Sequence, residues 1–215
     1  EHLKNLYVHW DDAMSPTPLD GLIITGAPVE HLPFEEVKYW KELVSLIEES
    51  KLKCASTLGL CWAGFAMAYM AGVEKMNFKK KLFGVYPMRS LVPGHSLMGT
   101  QDDEFLCPQS RHAGLPDIEM EKAEKRGDLR LLAHGEKVGY TIFETPDQKQ
   151  LMHLGHPEYN VDRLKSEMER DKKRGDVPPP ENFDLVKSHT SWRSHRNLLF
   201  QQWLWFCYQN VSLSV

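Results

Sequence analysis

Three short stretches carry residue types that could do chemistry together. The first is Ser56-Thr57-Leu58-Gly59-Leu60-Cys61-Trp62-Ala63-Gly64. An apolar run ends at a cysteine, small residues follow, and a helical pattern begins. That order reads as strand, tight turn and helix, with Cys61 on the turn. The free amides and the dipole at a helix N-terminus favour an anion, so a thiol placed there ionises more readily than a free one. Cys61 is therefore a candidate nucleophile, and small neighbours let the strand and helix approach. The second stretch is His156-Pro157-Glu158, which also follows an apolar run. His156 has the chemistry of a general base, and Glu158, two residues on, can orient its other ring nitrogen. The third is Thr25-Gly26-Ala27-Pro28, a turn after Gly21-Leu22-Ile23-Ile24. The amides of Ala27 and Trp62 are candidate oxyanion donors; an ordinary strand-to-helix turn is the other reading of this segment.

These residues need a scaffold that brings several strand ends to one edge. Gly21–Ile24 and Cys54–Leu60 read as buried strands, and Phe34–Glu49 and Trp62–Ala71 as helices. Strand, helix, strand, helix implies an α/β fold with an open, mostly parallel sheet flanked by helices. In such sheets ligands bind at the carboxyl ends of the strands. Leu82–Tyr86 reads as a further strand, Asp102–Pro108 and Ser110–His112 as loops, and Ile118–Ala123, Leu129–Ala133, Val138–Phe143 and Gln150–Leu154 as strands. Val161–Lys173 and Trp192–Gln209 read as helices, Tyr7–Trp10 as a short strand or turn, and Asp11–Pro18 and Gly175–Lys187 as irregular. The last helix, rich in aromatics, either packs on the core or forms an oligomer interface.

Bulk properties narrow the class. The chain has 215 residues, 41% of them hydrophobic and 26% charged, with a formal net charge of −4. A single domain spanning 1–215 with a true core is expected. The charge gives no footprint for nucleic acid, and no apolar run reaches the roughly 20 residues of a membrane span. Cys54, Cys61, Cys107 and Cys207 contain no CxxC pair, so reduced thiols and a cytoplasmic location are expected. His9, His112, His153 and His195 match no spacing of metal ligands, so no metal is expected.

Longer segments add a resemblance. Asp20–Glu30, Tyr39-Trp40, Cys61-Trp62-Ala63, Pro108–Arg111, Gly155–Tyr159, Glu167–Asp171, Trp192–Phe200 and Trp203-Leu204 are similar, in collinear order, to the homoserine O-acyltransferases of methionine biosynthesis. That family has the class I glutamine amidotransferase-like, flavodoxin-like fold. The resemblance implies ping-pong acyl transfer from acyl-CoA through a Cys61 thioester, with His156 and Glu158 completing the triad. It implies that Arg170 holds the carboxylate of the acceptor amino acid and that Ser110 lines its site. Glu167, one turn before Arg170, is read as binding the substrate's ammonium, as holding Arg170, or as a surface ion pair. Glu30, where glycine would leave room for succinyl, implies acetyl-CoA as co-substrate and no permanently bound cofactor. L-homoserine is the implied acceptor, with L-serine as the alternative. Other readings are succinyl transfer, a glutaminase or γ-glutamyl hydrolase, and a non-catalytic subunit.

The expected partners are small molecules, with no nucleic acid and no membrane, and a second copy in a homodimer. The family has further strands before the point where this chain begins. An N-terminal segment or a second chain is therefore expected to complete the sheet. Thr100-Gln101, Pro87–Ser90 and Gln109 depart from the family pattern, at positions expected near the acceptor site.

Overall fold

The computed structural model describes residues 6–14, 19–175, 179–184, 186 and 189–211. A four-residue helix, α1 (Trp10–Ala13), precedes β1 (Gly21–Ile24). A 3₁₀ turn at Phe34–Glu36 leads to α2 (Trp40–Lys53), β2 (Ser56–Leu60) and α3 (Trp62–Met70). Then come β3 (Met76–Ser90), β4 (Glu104–Gly114), α4 (Asp117–Arg126), β5 (Arg130–Gly135), β6 (Gly139–Glu144), β7 (Gln150–His153), α5 (Val161–Arg174) and α6 (Arg193–Asn210).

Seven strands form one sheet in the order β1-β2-β7-β6-β5-β3-β4. The expected α/β class holds, and the parallel pairing lies where the candidate residues are. β2 pairs in parallel with β1 and β7, while the pairs from β7 onward to β4 are antiparallel. Every residue of β2 is buried, as befits a strand covered on both faces.

Strand alternation separates the two layers. Leu131, Phe143 and Met152 face one side, against Ile47 of α2, Phe65 of α3 and Met120 of α4. Their neighbours Leu132, Ile142 and Leu151 face the other, with Leu58, Leu60 and Trp203 of α6. α6 packs so close that a Cβ on Gly21 would lie 2.8 Å from Cys207 Sγ and 2.9 Å from the Trp203 ring. Trp203 Nε1 donates to Ser56 Oγ at 3.2 Å. The helix is therefore a core helix on the face of Leu199, Trp203 and Cys207, while Leu204, Trp205 and Tyr208 remain exposed.

Several expected elements differ. Ile118–Ala123 is not a strand but the middle of α4. Met120 and Ala123 are buried one turn apart while Ile118 is exposed, which is the 3.6 period. Gly127 closes the helix in the left-handed region, and acidic and basic residues complement its two ends. The segments read as loops at 102–108 and 110–112 form β4 from Glu104 onward. Pairing with β3 buries its polar side chains, a tertiary effect that composition does not carry. Pro108 is tolerated because β4 is an edge strand.

The helix read as starting at Phe34 begins at Trp40, after the 3₁₀ turn, and the strand read at 82–86 extends over Met76–Ser90. Tyr7–His9 form no strand. Of the expected irregular segments, 15–18, 176–178, 185 and 187 lie outside the described residues. Glu181 makes an isolated bridge to Gly84. Among the described residues no helix is long and apolar enough to cross a membrane.

Candidate active site

Cys61 sits between the end of β2 and the first turn of α3, with φ 52° and ψ −116°. A non-glycine residue held there stores about 1–3 kcal/mol of backbone strain. The surroundings enforce it. Cys61 N donates to His153 O at 2.8 Å, and Phe65 N to Cys61 O at 3.2 Å. A Cβ on Gly59 would stand 2.7 Å from Met67 Sδ and 3.2 Å from the Ala63 backbone. The turn therefore admits only the small residues that the sequence places around Cys61. Gly26 faces it: a Cβ there would lie 3.2 Å from Cys61 Cβ and 3.6 Å from Trp62 N.

His156 follows β7, whose neighbour β2 delivers Cys61 to the same edge of the sheet. Its backbone N–H donates to Pro108 O of β4 at 2.8 Å. Trp192 Nε1 donates to Tyr159 O at 2.8 Å and pins the far end of the turn. His156 Nδ1 lies 2.7 Å from Glu158 Oε1, and the Tyr159 ring stacks on the imidazole at 4.2 Å. Burial pushes the imidazole pKa down. The Cys61 side chain, by charge and hydrogen bonding, and then Glu158, more than reverse this and raise it to about 10. His153, buried on the other side, is driven down to about 3 by burial and by the neighbouring His156. Of the two histidines, His156 is the one built to carry a proton.

A second cluster lies across a cavity of about 640 Å³. Leu164, Glu167 and Asp171 share the inward face of α5. Lys81 Nζ of β3 lies 2.6 Å from Glu167 Oε1 and 2.7 Å from Asp171 Oδ2. Ser110 Oγ donates to Glu167 Oε1, and Arg170 Nη2 donates to the same oxygen at 3.0 Å. Burial raises the Glu167 pKa, but hydrogen bonds from Lys81 and Ser110 outweigh this and hold it at about 2. Two carboxylates face two cations, and Arg170, nearly half exposed, opens toward the cavity.

With this geometry in view, the whole chain can be matched to known proteins. The model of the family described as "Homoserine O-succinyltransferase" matches residues 1–213. The chain belongs to the homoserine O-succinyltransferase family. Membership makes it an acyltransferase. A relative named homoserine O-acetyltransferase, from Bacillus thuringiensis subsp. konkukian, is 41% identical over 98% of this chain and 71% of its own. Another of that name, from Agathobacter rectalis, is 40% identical over 98% of this chain and 69% of its own. Among solved structures, a glutamine amidotransferase from Thermotoga maritima superposes with a TM-score of 0.63 at 16% identity, covering 86% of this chain and 77% of that one. A glutamine amidotransferase from Methylobacillus flagellatus gives 0.59 at 14%, covering 92% and 79%. These likenesses show the fold.

In this family member the cavity is lined by Gly26, Ala27, Glu30, Cys61, Ser110, His156, Glu158, Glu167 and Arg170. The structure thus brings together nearly all the residues singled out from the sequence. The Trp62 side chain is buried away from the cavity, and its backbone N lies beside Gly26 and Cys61. Glu167 is not a surface ion pair: its side chain is 5% exposed. Arg111 is fully buried; it donates to Gln109 Oε1 and Ala113 O within β4 and to Val138 O in the turn between β5 and β6. Met88, Thr100, Gln101 and Gln109, expected near the acceptor site, do not line the cavity. Met88 is a core residue, and Gln109 packs beneath Gly155.

Lys81 was not legible. It ends a Lys79-Lys80-Lys81 run and lies at the irregularity between Asn77 and Leu82 in the β3–β4 pairing, where Glu167 and Asp171 of α5 receive it.

The His156 proton gives this family member a pH signature. A pKa raised from 6.5 to about 10 contributes stability that is complete below pH 6.5 and is lost as pH climbs to about 10. Urea unfolding at pH 7 and pH 10 should therefore show a smaller alkaline loss in Cys61→Ala, which removes the chief partner of the imidazolium, than in the parent. Equal losses would show that Cys61 does not hold the proton.

Proposed function

We propose that the chain transfers an acetyl group from acetyl-CoA to the hydroxyl of L-homoserine, by way of a thioester on Cys61. The observation that carries this reading is His156, set between Cys61 and Glu158 at the edge of the cavity. The Cys61 thiolate attacks the thioester carbonyl. The amides of Ala27 and Trp62 stabilise the oxyanion, and CoA leaves with a proton from His156. The hydroxyl of the amino acid then attacks the Cys61 thioester and gives its proton to His156. The ester forms and the Cys61 thiolate is released.

The acceptor is a zwitterion, and the cluster opposite Cys61 suits it. Arg170 pairs with the carboxylate, and guanidinium favours a two-point contact. Glu167, fixed in its ionised form, faces the ammonium with Ser110 beside it.

Glu30 lines the same cavity, and its Oε2 accepts from His112 N at 2.9 Å. A carboxylate held there repels the distal carboxylate of a succinyl group. Glu30→Gly should raise the succinyl-CoA to acetyl-CoA rate ratio by about tenfold or more, since roughly 1.4 kcal/mol suffices. An unchanged ratio would remove Glu30 from acyl selection.

The reading as a whole is tested by incubation with acetyl-CoA alone. Mass spectrometry should find one acetyl group on the peptide containing Cys61, and addition of L-homoserine should discharge it. Ammonia release from glutamine without CoA, and no acetylation, would replace this reading with a glutaminase.

A further inference from the structure

Next to the cavity, three metal-ligating side chains converge from two elements. Glu30 and His31 lie on the loop after β1, and His112 lies in β4. One ligand atom from each, a carboxylate oxygen and two imidazole nitrogens, fall within 4.8 Å of one another. The rings of His31 and His112 stand 4.7 Å apart, tilted by 56°. Among the described residues, neither ring has a hydrogen-bond partner, and this is the one group of three such side chains. Glu30 spends Oε2 on the His112 amide, which fixes the carboxylate and leaves Oε1 to bind. The nearby Lys75 Nζ is turned to the Glu30 carbonyl, with Asn77 Oδ1 at 3.5 Å, rather than to the carboxylate.

Two imidazoles packed against each other without partners, beside an anchored carboxylate, have little structural purpose. Each ring has a nitrogen lone pair to offer and nothing among the described residues to take it. From these three side chains we infer a binding site for a divalent late transition metal of the Zn²⁺ class, at the wall between the 640 Å³ cavity and a neighbouring one of about 230 Å³. Two nitrogens and one oxygen suit Zn²⁺ and leave one tetrahedral position to water.

Ligand atoms around a tetrahedral zinc stand about 3.3 Å apart. His31 is exposed on its loop, so a rotamer change closes the remaining gap. Alternation along β4 puts Ser110 and His112 on one side and the buried Arg111 on the other. The strand that presents Ser110 to the cavity therefore also presents His112 to the ion. The site rests on these side chains alone; a bound ion would neutralise the Glu30 charge, so acyl selection by repulsion belongs to the metal-free form.

The test titrates ZnCl₂ into the full chain by calorimetry, in a Cys61→Ala background so that this thiol does not compete. Co²⁺ serves as the optical probe for a four-coordinate spectrum. One ion should bind with micromolar or tighter affinity. His31→Ala, at an exposed position, should weaken it by about 100-fold or more. His112→Asn should do the same, whereas His195→Ala should not. Circular dichroism should be unchanged in His31→Ala. No binding in the parent, or one-site binding that survives His31→Ala, would overturn the inference.

Discussion

Cys61→Ala should lower the rate of acyl transfer by at least about 10⁴-fold while leaving the chain folded. Alanine fits the turn, because what the turn demands around position 61 is small neighbours and not a sulfur. The Gly59, Ala63 and Gly64 contacts are unchanged by the substitution. What disappears is the atom proposed to carry the acyl group, and with it the main influence raising the His156 pKa. Two measurements check this. Steady-state transfer should fall to background, and the stoichiometric burst of free CoA on mixing with acetyl-CoA should vanish. A variant that still releases CoA and forms the ester at the parent's rate would mean that the acyl group passes directly between substrates. His156→Ala should fall less far, by about 10²–10⁴-fold, because it removes proton transfer and leaves the nucleophile in place.

Lys81→Met should destabilise the protein by about 3–5 kcal/mol, the usual result of stripping one partner from a buried ion pair. Lys81 is the cation at the buried end of the cluster, with Glu167 and Asp171 both at salt-bridge distance and all three side chains no more than 5% exposed. Without it, two carboxylates face each other with only the half-exposed Arg170 between them. Chemical unfolding at neutral pH measures the loss. Adding Asp171→Asn to Lys81→Met should recover part of it by removing one uncompensated charge. A Lys81→Met protein as stable as the parent would show that the cluster is not a buried electrostatic unit. In the proposed reaction the same substitution should raise KM for the amino acid more than it lowers kcat, because Glu167 loses the partner that sets its position.

Much of the site was legible in the sequence because it depends on local chemistry. A strand ending in a cysteine with small neighbours is by itself as often a buried core thiol; it is the joint presence of His156-Pro157-Glu158, with two polar groups two residues apart after another strand, that points to chemistry. Glu30, Ser110, Glu167 and Arg170 came from long matched segments. What escaped depends on contacts between distant elements. Lys81 ends a run of three lysines, and its partners Glu167 and Asp171 lie 86 and 90 residues further on. Ile118–Ala123 looked like a strand because three apolar residues in six satisfy two periods at once. The burial of Met120 and Ala123 against α3 and β5 decides between them. His112 drew attention only as one of four scattered histidines. Its neighbours Glu30 and His31 are far from it in sequence, 82 residues in the case of Glu30, so no ligand spacing could reveal the cluster.

The strand order also sets when the protein can first work. β7, the last strand in sequence among the described residues, lies between β2 and β6 and joins what would otherwise be two separate sheets. The half carrying Cys61 and the half carrying Ser110 and Lys81 both precede β7 in the chain, but among the described residues no strand pairing joins them; contacts such as that of Glu30 with the His112 amide are all that cross between them. Insertion of β7 makes the long-range contacts that fold slowly. The same strand gives Cys61 N its acceptor at His153 O and leads directly into His156. Joining the sheet and bringing His156 to Cys61 are thus one event. In the proposed mechanism, a nascent chain stalled before β7 would have its cysteine without the base, and the thiol would not be armed on an unfinished protein.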